Sequence, residues 1–96
     1  MNAELKAKWV AKLRSGEYEQ HKGRLRSKSG KRHCCLGVLC DITARYSTSW
    51  QWWNGGDTVP NLSEHGVFMR DAIHLADMND KGKKFPEISD YIEANL

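Results

Sequence analysis

The sequence lacks long apolar runs, has only two prolines, and places its eight glycines in no known nucleotide-binding pattern. No apolar stretch approaches the roughly 18 residues that a membrane span needs, so no membrane partner is expected. The N-terminal residues alternate charged and apolar side chains and contain no apolar block of the kind found in signal peptides. The glycines match neither a P-loop nor a dinucleotide fingerprint, so no ATP-type or NAD-type cofactor is expected. These absences predict a cytoplasmic protein.

The sequence also has no Cys-x-x-Cys pair, although three cysteines fall within HCCLGVLCD, residues 33–41. On a helix, at roughly 100° per residue, Cys34 and Cys35 diverge, and so do Cys35 and Cys40. A zinc ion needs four converging ligands, so no metal site is predicted. A disulfide is not expected in a cytoplasmic chain. We predict that Cys35 and Cys40 are buried, whereas Cys34 is either buried or available at a helix N-terminus, where a thiolate or an anion is favoured.

Charge is distributed unevenly along the 96 residues. Residues 1–48 contain eleven Lys and Arg against four Asp and Glu, a balance of +7, and residues 49–96 contain four against eight, a balance of −4; together they give the net charge of +3. A basic half indicates an anionic partner, from nucleic acid to a small phosphorylated ligand. Alternatively, the two halves pack together with complementary charge.

The N-terminal third predicts a helix followed by a hairpin. Asn2 can cap the helix, Gly16 can end it, and apolar residues recur every fourth position at Leu5, Trp9 and Leu13. Residues 23–26 and 31–34 then indicate two short strands joined by a Ser-Lys-Ser-Gly turn.

The remaining two thirds predict three more helices. Helical spacing runs from Cys35 to about Tyr46, and residues 47–62 form a loop that contains three tryptophans. A short helix is predicted over Arg70–Met78 and ends in a turn at residues 79–82, and Pro86 opens the last helix. The predicted fold class is α+β: a small single domain, residues 1–96, of three to four helices with a short β-hairpin.

The order of these pieces resembles a widespread group of small proteins encoded by phages and prophages. The shared pattern is Leu-Arg-Ser-Gly, a Leu-Arg hairpin, Cys-Cys-Leu-Gly-Val-Leu-Cys-Asp, a variable tryptophan-containing loop, Asn-Asp-x-Gly-x-x-Phe and a last helix. The matching pieces are residues 13–16, 25–26, 34–41, 79–85 and 87–96, which span nearly the whole chain. The variable loop is shorter here than in many relatives. The resemblance implies a viral protein in the host cytoplasm; small phage proteins of this kind often counter host defence, and some such families sequester nucleotide-like signals.

Several residues outside the cysteine motif are candidates for ligand binding. We predict that arginines beside the hairpin turn meet phosphates, that a loop tryptophan stacks on a base, and that an Asn-Asp pair hydrogen-bonds a sugar. With the helix-start cysteine, the candidate residues are Arg24, Arg26, Arg32, Cys34, Trp52, Trp53, Asn79 and Asp80. Each has a structural alternative: charged hairpin edges discourage strand pairing, tryptophans fold over a core, and Asn-Asp pairs form turns.

No combination of residues in the sequence makes a complete active site, so no catalytic residue and no cofactor are predicted. With the resemblance, this predicts a phage-encoded counter-defence protein that binds and sequesters a small anionic nucleotide-derived immune signal without turning it over. A homo-oligomer that closes pockets between subunits would suit slow release. Two alternatives remain open: nucleic-acid binding through the basic N-terminal half, and inhibition of a host defence protein through the tryptophan loop.

Overall fold

The computed structural model describes residues 1–27, 29–43 and 62–96. Along the chain its elements are α1 (Ala3–Arg14), β1 (Glu19–Gln20), β2 (Arg32–His33), α2 (Cys35–Ile42), a 3₁₀ turn (Ser63–His65), α3 (Met69–Asp80) and α4 (Phe85–Asn95). The described residues thus form four α-helices and a small two-stranded sheet, which confirms the predicted α+β class. None of the helices in these ranges is long and apolar enough to cross a membrane.

Helix α1 begins and ends as its sequence predicts. The Asn2 side chain accepts a hydrogen bond from the backbone N–H of Leu5 at 3.0 Å, which caps the N-terminus. Trp9, Val10 and Leu13 are buried on one face. After the helix, Gly16 adopts a positive φ of 79° and redirects the chain towards β1.

Helix α2 lies at the centre of the core, because it is apolar on every side and all six residues from Cys35 to Cys40 are buried. The Trp9 indole N–H donates to the carbonyl oxygen of Cys35 at 2.9 Å and ties α1 to the start of α2. The helix ends at Ile42 rather than near Tyr46. The Thr43 hydroxyl folds back on the carbonyl oxygens of Leu39 and Cys40, at 3.0 and 3.2 Å.

Helices α3 and α4 close the core from the C-terminal side. Helix α3 extends past its predicted end, so Asn79 and Asp80 form its last turn and the reversal falls on Lys81 and Gly82, whose φ is 98°. Pro86 lies in the first turn of α4, as predicted, and the buried residues of that helix are Phe85, Ile88, Ser89 and Ile92.

The short strands pair differently from a simple hairpin. Strand β2 pairs in parallel with β1, Glu19 opposite Arg32 and Gln20 opposite His33. On its other edge β2 makes the predicted antiparallel contact as a single bridge between Arg26 and His33. Two backbone bonds flank this bridge, from Ser27 N to Arg32 O at 2.9 Å and from Cys34 N to Leu25 O at 3.1 Å. Strand β2 is therefore the middle of three adjacent segments.

Candidate functional site

The hairpin turn sets the directions of two predicted arginines. The Ser27 carbonyl accepts from Gly30 N at 2.9 Å, and the Ser27 hydroxyl oxygen accepts from Arg32 N at 3.1 Å. Gly30 has a φ of 76°, and a β-carbon there would lie only 2.4 Å from the Arg26 guanidinium. The positive φ favours glycine at residue 30, whereas the flexible Arg26 side chain could move aside; beyond the turn, Arg26 and Arg32 line two different clefts.

The first cleft, here called the hairpin cleft, has a volume of about 400 Å³ and is lined by Glu19, His21, Ser27, Ser29, Lys31 and Arg32. The two serine hydroxyl oxygens lie 3.2 Å apart. Arg32 Nε is 3.4 Å from Glu19 Oε2, and both side chains are exposed. Two cations face one carboxylate, and the hydroxyls supply further donors. This is the set of groups that binds phosphate oxygens.

The electrostatics of the hairpin cleft can be read at His21. Partial burial and the positive charges of Arg32 and Arg24 lower the pKa of His21. The negative charge of Asp80 raises this pKa by a smaller amount. A positive field that disfavours the charged imidazole favours an anion in the same place. Arg24 therefore contributes to the field of the hairpin cleft although it does not line the cleft.

The second cleft, here called the tyrosine cleft, has a volume of about 450 Å³. It is lined by Tyr18, Arg26, Gly30, Lys31 and His33 and by three carboxylates, those of Glu17, Glu19 and Asp41. Glu19 and Lys31 line both clefts, so the two adjoin along a shared wall. Three acids and two cations line the tyrosine cleft, whereas one acid and two cations line the hairpin cleft.

Three polar side chains form a cluster at the tyrosine cleft. The Tyr18 hydroxyl donates to the Asp41 carboxylate. Burial, followed by this bond and the charge of Asp41, raises the pKa of Tyr18, so the phenol stays protonated. The Tyr18 ring stands edge-on to His33 with ring centres 5.0 Å apart. His33 is 4% exposed, and within the described residues neither ring nitrogen has a hydrogen-bond partner.

The N-terminus of α2 is closed by groups of the protein itself. Cys34 is its N-cap, with Sγ 3.4 Å from the backbone N–H of Gly37. The Cys35 N–H donates to Asn79 Oδ1 at 3.2 Å, and the Asn79 amide donates to the His21 carbonyl oxygen at 2.7 Å. Gln20 Nε2 also donates to Asn79 Oδ1, at 3.0 Å. The sequence predicted that an anion could bind the backbone N–H groups at the start of α2. Those of Cys35 and Gly37 instead bond to Asn79 and Cys34 of the protein itself.

The three cysteines behave as core residues. All of them lie in the described ranges, are buried, and form no disulfide. Burial raises the pKa of Cys34 to about 12 and that of Cys35 well above its usual value. These two thiols are therefore protonated at neutral pH, and a protonated thiol is a poor nucleophile. Within the described residues no cluster of His, Cys, Asp and Glu could hold a metal ion.

The structure brings part of the predicted site together. The charges of Arg24 and Arg32 both lower the pKa of His21. Next to them, Asp80 Oδ1 accepts from the backbone N–H of Gly23 at 2.8 Å. Arg26 lines the other cleft, and Asn79 is fully buried, so its predicted contact with a sugar would require the amide to leave its partners. Trp52 and Trp53 lie outside the described residues, so stacking on a base stays a prediction.

Sequence reasoning missed several residues that line the clefts. In the sequence, Asp41 marks only the end of the cysteine motif, and no local pattern marks Tyr18. Both reach the tyrosine cleft because β1 pairs with β2 and brings residues 17–19 beside α2. The Ser-Lys-Ser-Gly turn contains a usable signal, since residues 27–32 include two hydroxyls and three basic side chains, all of which can donate hydrogen bonds to phosphate oxygens.

The described residues thus define a small α+β domain with two adjoining clefts beside a basic hairpin. The chain belongs to the family described as a domain of unknown function, DUF8296, which matches residues 1–58. The match includes every residue that lines the two clefts, whereas α3 and α4 lie beyond it. No curated protein and no solved structure matches the chain.

Proposed function

We propose that this protein is a phage-encoded counter-defence protein in the host cytoplasm. It binds and sequesters a small anionic, nucleotide-derived immune signal and releases it unchanged. The viral setting rests on the sequence resemblance, and the anionic ligand rests on the hairpin cleft.

The observation that carries the ligand class is the set of donors in the hairpin cleft. Ser27, Ser29, Lys31 and Arg32 offer two hydroxyls, an ammonium and a guanidinium around a space of about 400 Å³. Lys31 has no ion pair within the described residues, and Arg32 has further N–H groups beyond the Nε that approaches Glu19. A phosphoryl group can therefore bind without breaking a buried interaction.

Release without turnover is supported by the protonation states of the candidate nucleophiles. Burial keeps the Cys34 and Cys35 thiols protonated, as their raised pKa values indicate. The raised pKa of Tyr18 likewise keeps its hydroxyl a hydrogen-bond donor. These groups suit binding better than attack on a phosphoryl or glycosyl centre.

The test is calorimetric titration of the full chain with ADP-ribose, cyclic dinucleotides and AMP. We expect at least one to bind, and Arg32→Gln to weaken that binding by about tenfold or more, since a charge-assisted bond to phosphate is lost. The exposed pair between Arg32 and Glu19 contributes little to folding, so the variant should stay folded. The bound nucleotide, recovered after heat denaturation, should be chemically unchanged.

The matched control is Arg70→Gln, which removes the same charge from an exposed position on α3. It should leave nucleotide affinity unchanged. Conversion of the nucleotide would refute sequestration. Failure of every nucleotide to bind, together with duplex DNA affinity that falls steeply with salt, would favour nucleic-acid binding instead.

A further inference from the structure

The tyrosine cleft has a chemistry that phosphate binding does not use. Three carboxylates line it, so it offers hydrogen-bond acceptors in addition to the donors that a phosphoryl group needs. Glu17 pairs with Lys12 at 2.9 Å and Glu19 approaches Arg32 at 3.4 Å, which leaves Asp41 as the carboxylate that no cation neutralises within the described residues. A carboxylate oxygen accepts hydrogen bonds from uncharged donors such as sugar hydroxyls.

Asp41 is oriented for such a role. Its Oδ2 accepts from the Tyr18 hydroxyl, which fixes the carboxylate, and its Oδ1 makes no hydrogen bond within the described part of the chain. Buried His33 lies next to this pair, and neither of its ring nitrogens has a hydrogen-bond partner among the described residues.

We infer that the tyrosine cleft binds the ribose of the nucleotide whose phosphate lies in the hairpin cleft, with Asp41 accepting a hydrogen bond from a ribose hydroxyl. The inference rests on the proposed function and extends it by naming a ribonucleotide as the ligand class. Lys31 and Glu19 form the wall common to both clefts, so one ligand can reach from one to the other. The donors of the hairpin cleft and the acceptor at Asp41 give the ligand a single orientation, phosphate towards Arg32 and sugar towards Asp41.

The test compares AMP, 2′-deoxy-AMP and inorganic pyrophosphate on the full chain by calorimetry. We expect wild-type protein to bind AMP about tenfold or more tightly than 2′-deoxy-AMP, since the 2′-hydroxyl is what distinguishes the two sugars. Asp41→Asn should weaken AMP binding by a similar factor and leave pyrophosphate binding unchanged. Tyr18→Phe, which frees the Asp41 carboxylate but keeps the ring, should weaken AMP binding in the same selective way.

Asp77→Asn is the matched control, because Asp77 is an exposed carboxylate on α3 paired with Lys81 at 3.0 Å. It should change neither affinity. If Asp41→Asn and Tyr18→Phe both bind AMP like the wild type, or if AMP and 2′-deoxy-AMP bind equally, the sugar assignment is wrong. In that case Arg32→Gln still weakens AMP and pyrophosphate alike, and the proposed function stands. If neither AMP nor pyrophosphate binds, the sugar assignment falls together with the phosphate site in the hairpin cleft.

Discussion

At the scale of single residues, Gly37 shows how closely the hairpin lies against α2. A β-carbon at Gly37 would lie 1.8 Å from the Leu25 carbonyl oxygen and 2.8 Å from its carbonyl carbon. The approaching group is the hairpin backbone, one residue from the bridge that positions Arg26.

Gly37→Ala should therefore destabilise the protein although alanine is the better helix former. Helix propensity alone would favour alanine by about 1 kcal/mol. The clash is with backbone rather than with a flexible side chain, so the hairpin must shift, at a typical overpacking cost of about 1–3 kcal/mol. We expect a net loss of unfolding free energy in urea denaturation.

Gly16→Ala serves as the comparison for Gly37→Ala. Its β-carbon would meet nothing within 4 Å, so only the strain of a φ of 79° applies. We expect that variant to keep the nucleotide affinity of the wild type, whereas Gly37→Ala should lose affinity along with stability because the hairpin moves. A Gly37→Ala protein more stable than the wild type would contradict the close approach.

At the scale of elements, Asn79 joins three parts of the chain that are distant in sequence. One buried amide from α3 caps the N-terminus of α2 through Cys35 N, accepts from Gln20 of β1, and donates to the His21 carbonyl. Asn79→Ala would leave the buried Cys35 N–H and the partly buried His21 carbonyl without this partner. We expect a loss on the order of 3 kcal/mol of unfolding free energy, measured by urea denaturation.

Asn95→Ala is the control for Asn79→Ala, which removes the cap of α2. The Asn95 amide donates to the Tyr91 carbonyl at 2.9 Å, but it is exposed, so water can replace the bond and the loss should be below about 0.5 kcal/mol. Equal stabilities of the two variants would mean that the Asn79 contacts do not hold the three elements together.

The helices and the segment of β2 were predictable from sequence, and strand β1 was not. Helix α1 has a capping residue, a regular apolar stripe and a terminating glycine, all of which are local signals. Strand β1 is only two residues long, and its parallel partner lies thirteen residues away, so no alternation or turn marks it. Asn79 illustrates the same limit: an Asn-Asp pair before glycine is typical of a turn, and only the packed structure shows the amide facing α2.

The candidate site was predictable only in part for a related reason. The basic residues of the hairpin are visible as a cluster in the sequence, and Arg32 does line a cleft. The tyrosine cleft depends on the position of residues 17–19 beside Asp41, which follows from the parallel pairing and not from any local pattern.

At the scale of the whole molecule, two histidines link stability to pH. Burial, together with nearby positive charge, lowers the pKa of both His33 and His21 from 6.5, although Asp41 opposes the shift at His33. Below about pH 6.5 the unfolded chain therefore binds protons that the folded chain resists, and unfolding becomes easier as the pH falls. We expect the unfolding free energy to decrease from pH 7.5 to pH 5.5 in urea denaturation series.

Variants at His33 and His21 separate the contributions of the two histidines to the pH dependence of the unfolding free energy. His33→Phe removes one titrating imidazole and keeps an aromatic ring beside Tyr18. His21→Gln removes the other imidazole and keeps a polar side chain in the hairpin cleft. Each should make the decrease between pH 7.5 and pH 5.5 smaller, and the double variant should make it smaller still. If neither single variant alters the decrease, other groups cause it.

The pairing of the first helix with the last has a consequence for synthesis. Helix α1 packs against α4, and the Arg14 guanidinium bonds Ser89 Oγ, Asp90 Oδ1 and Glu93 Oε2 at 3.0, 2.7 and 3.1 Å. The ribosome makes α1 first, yet its partner follows about 70 residues later, which at 5–20 residues per second is roughly 4–14 s. During that interval the apolar stripe of α1 has no α4 to cover it. Folding during synthesis therefore cannot complete the core around α1 before α4 has emerged.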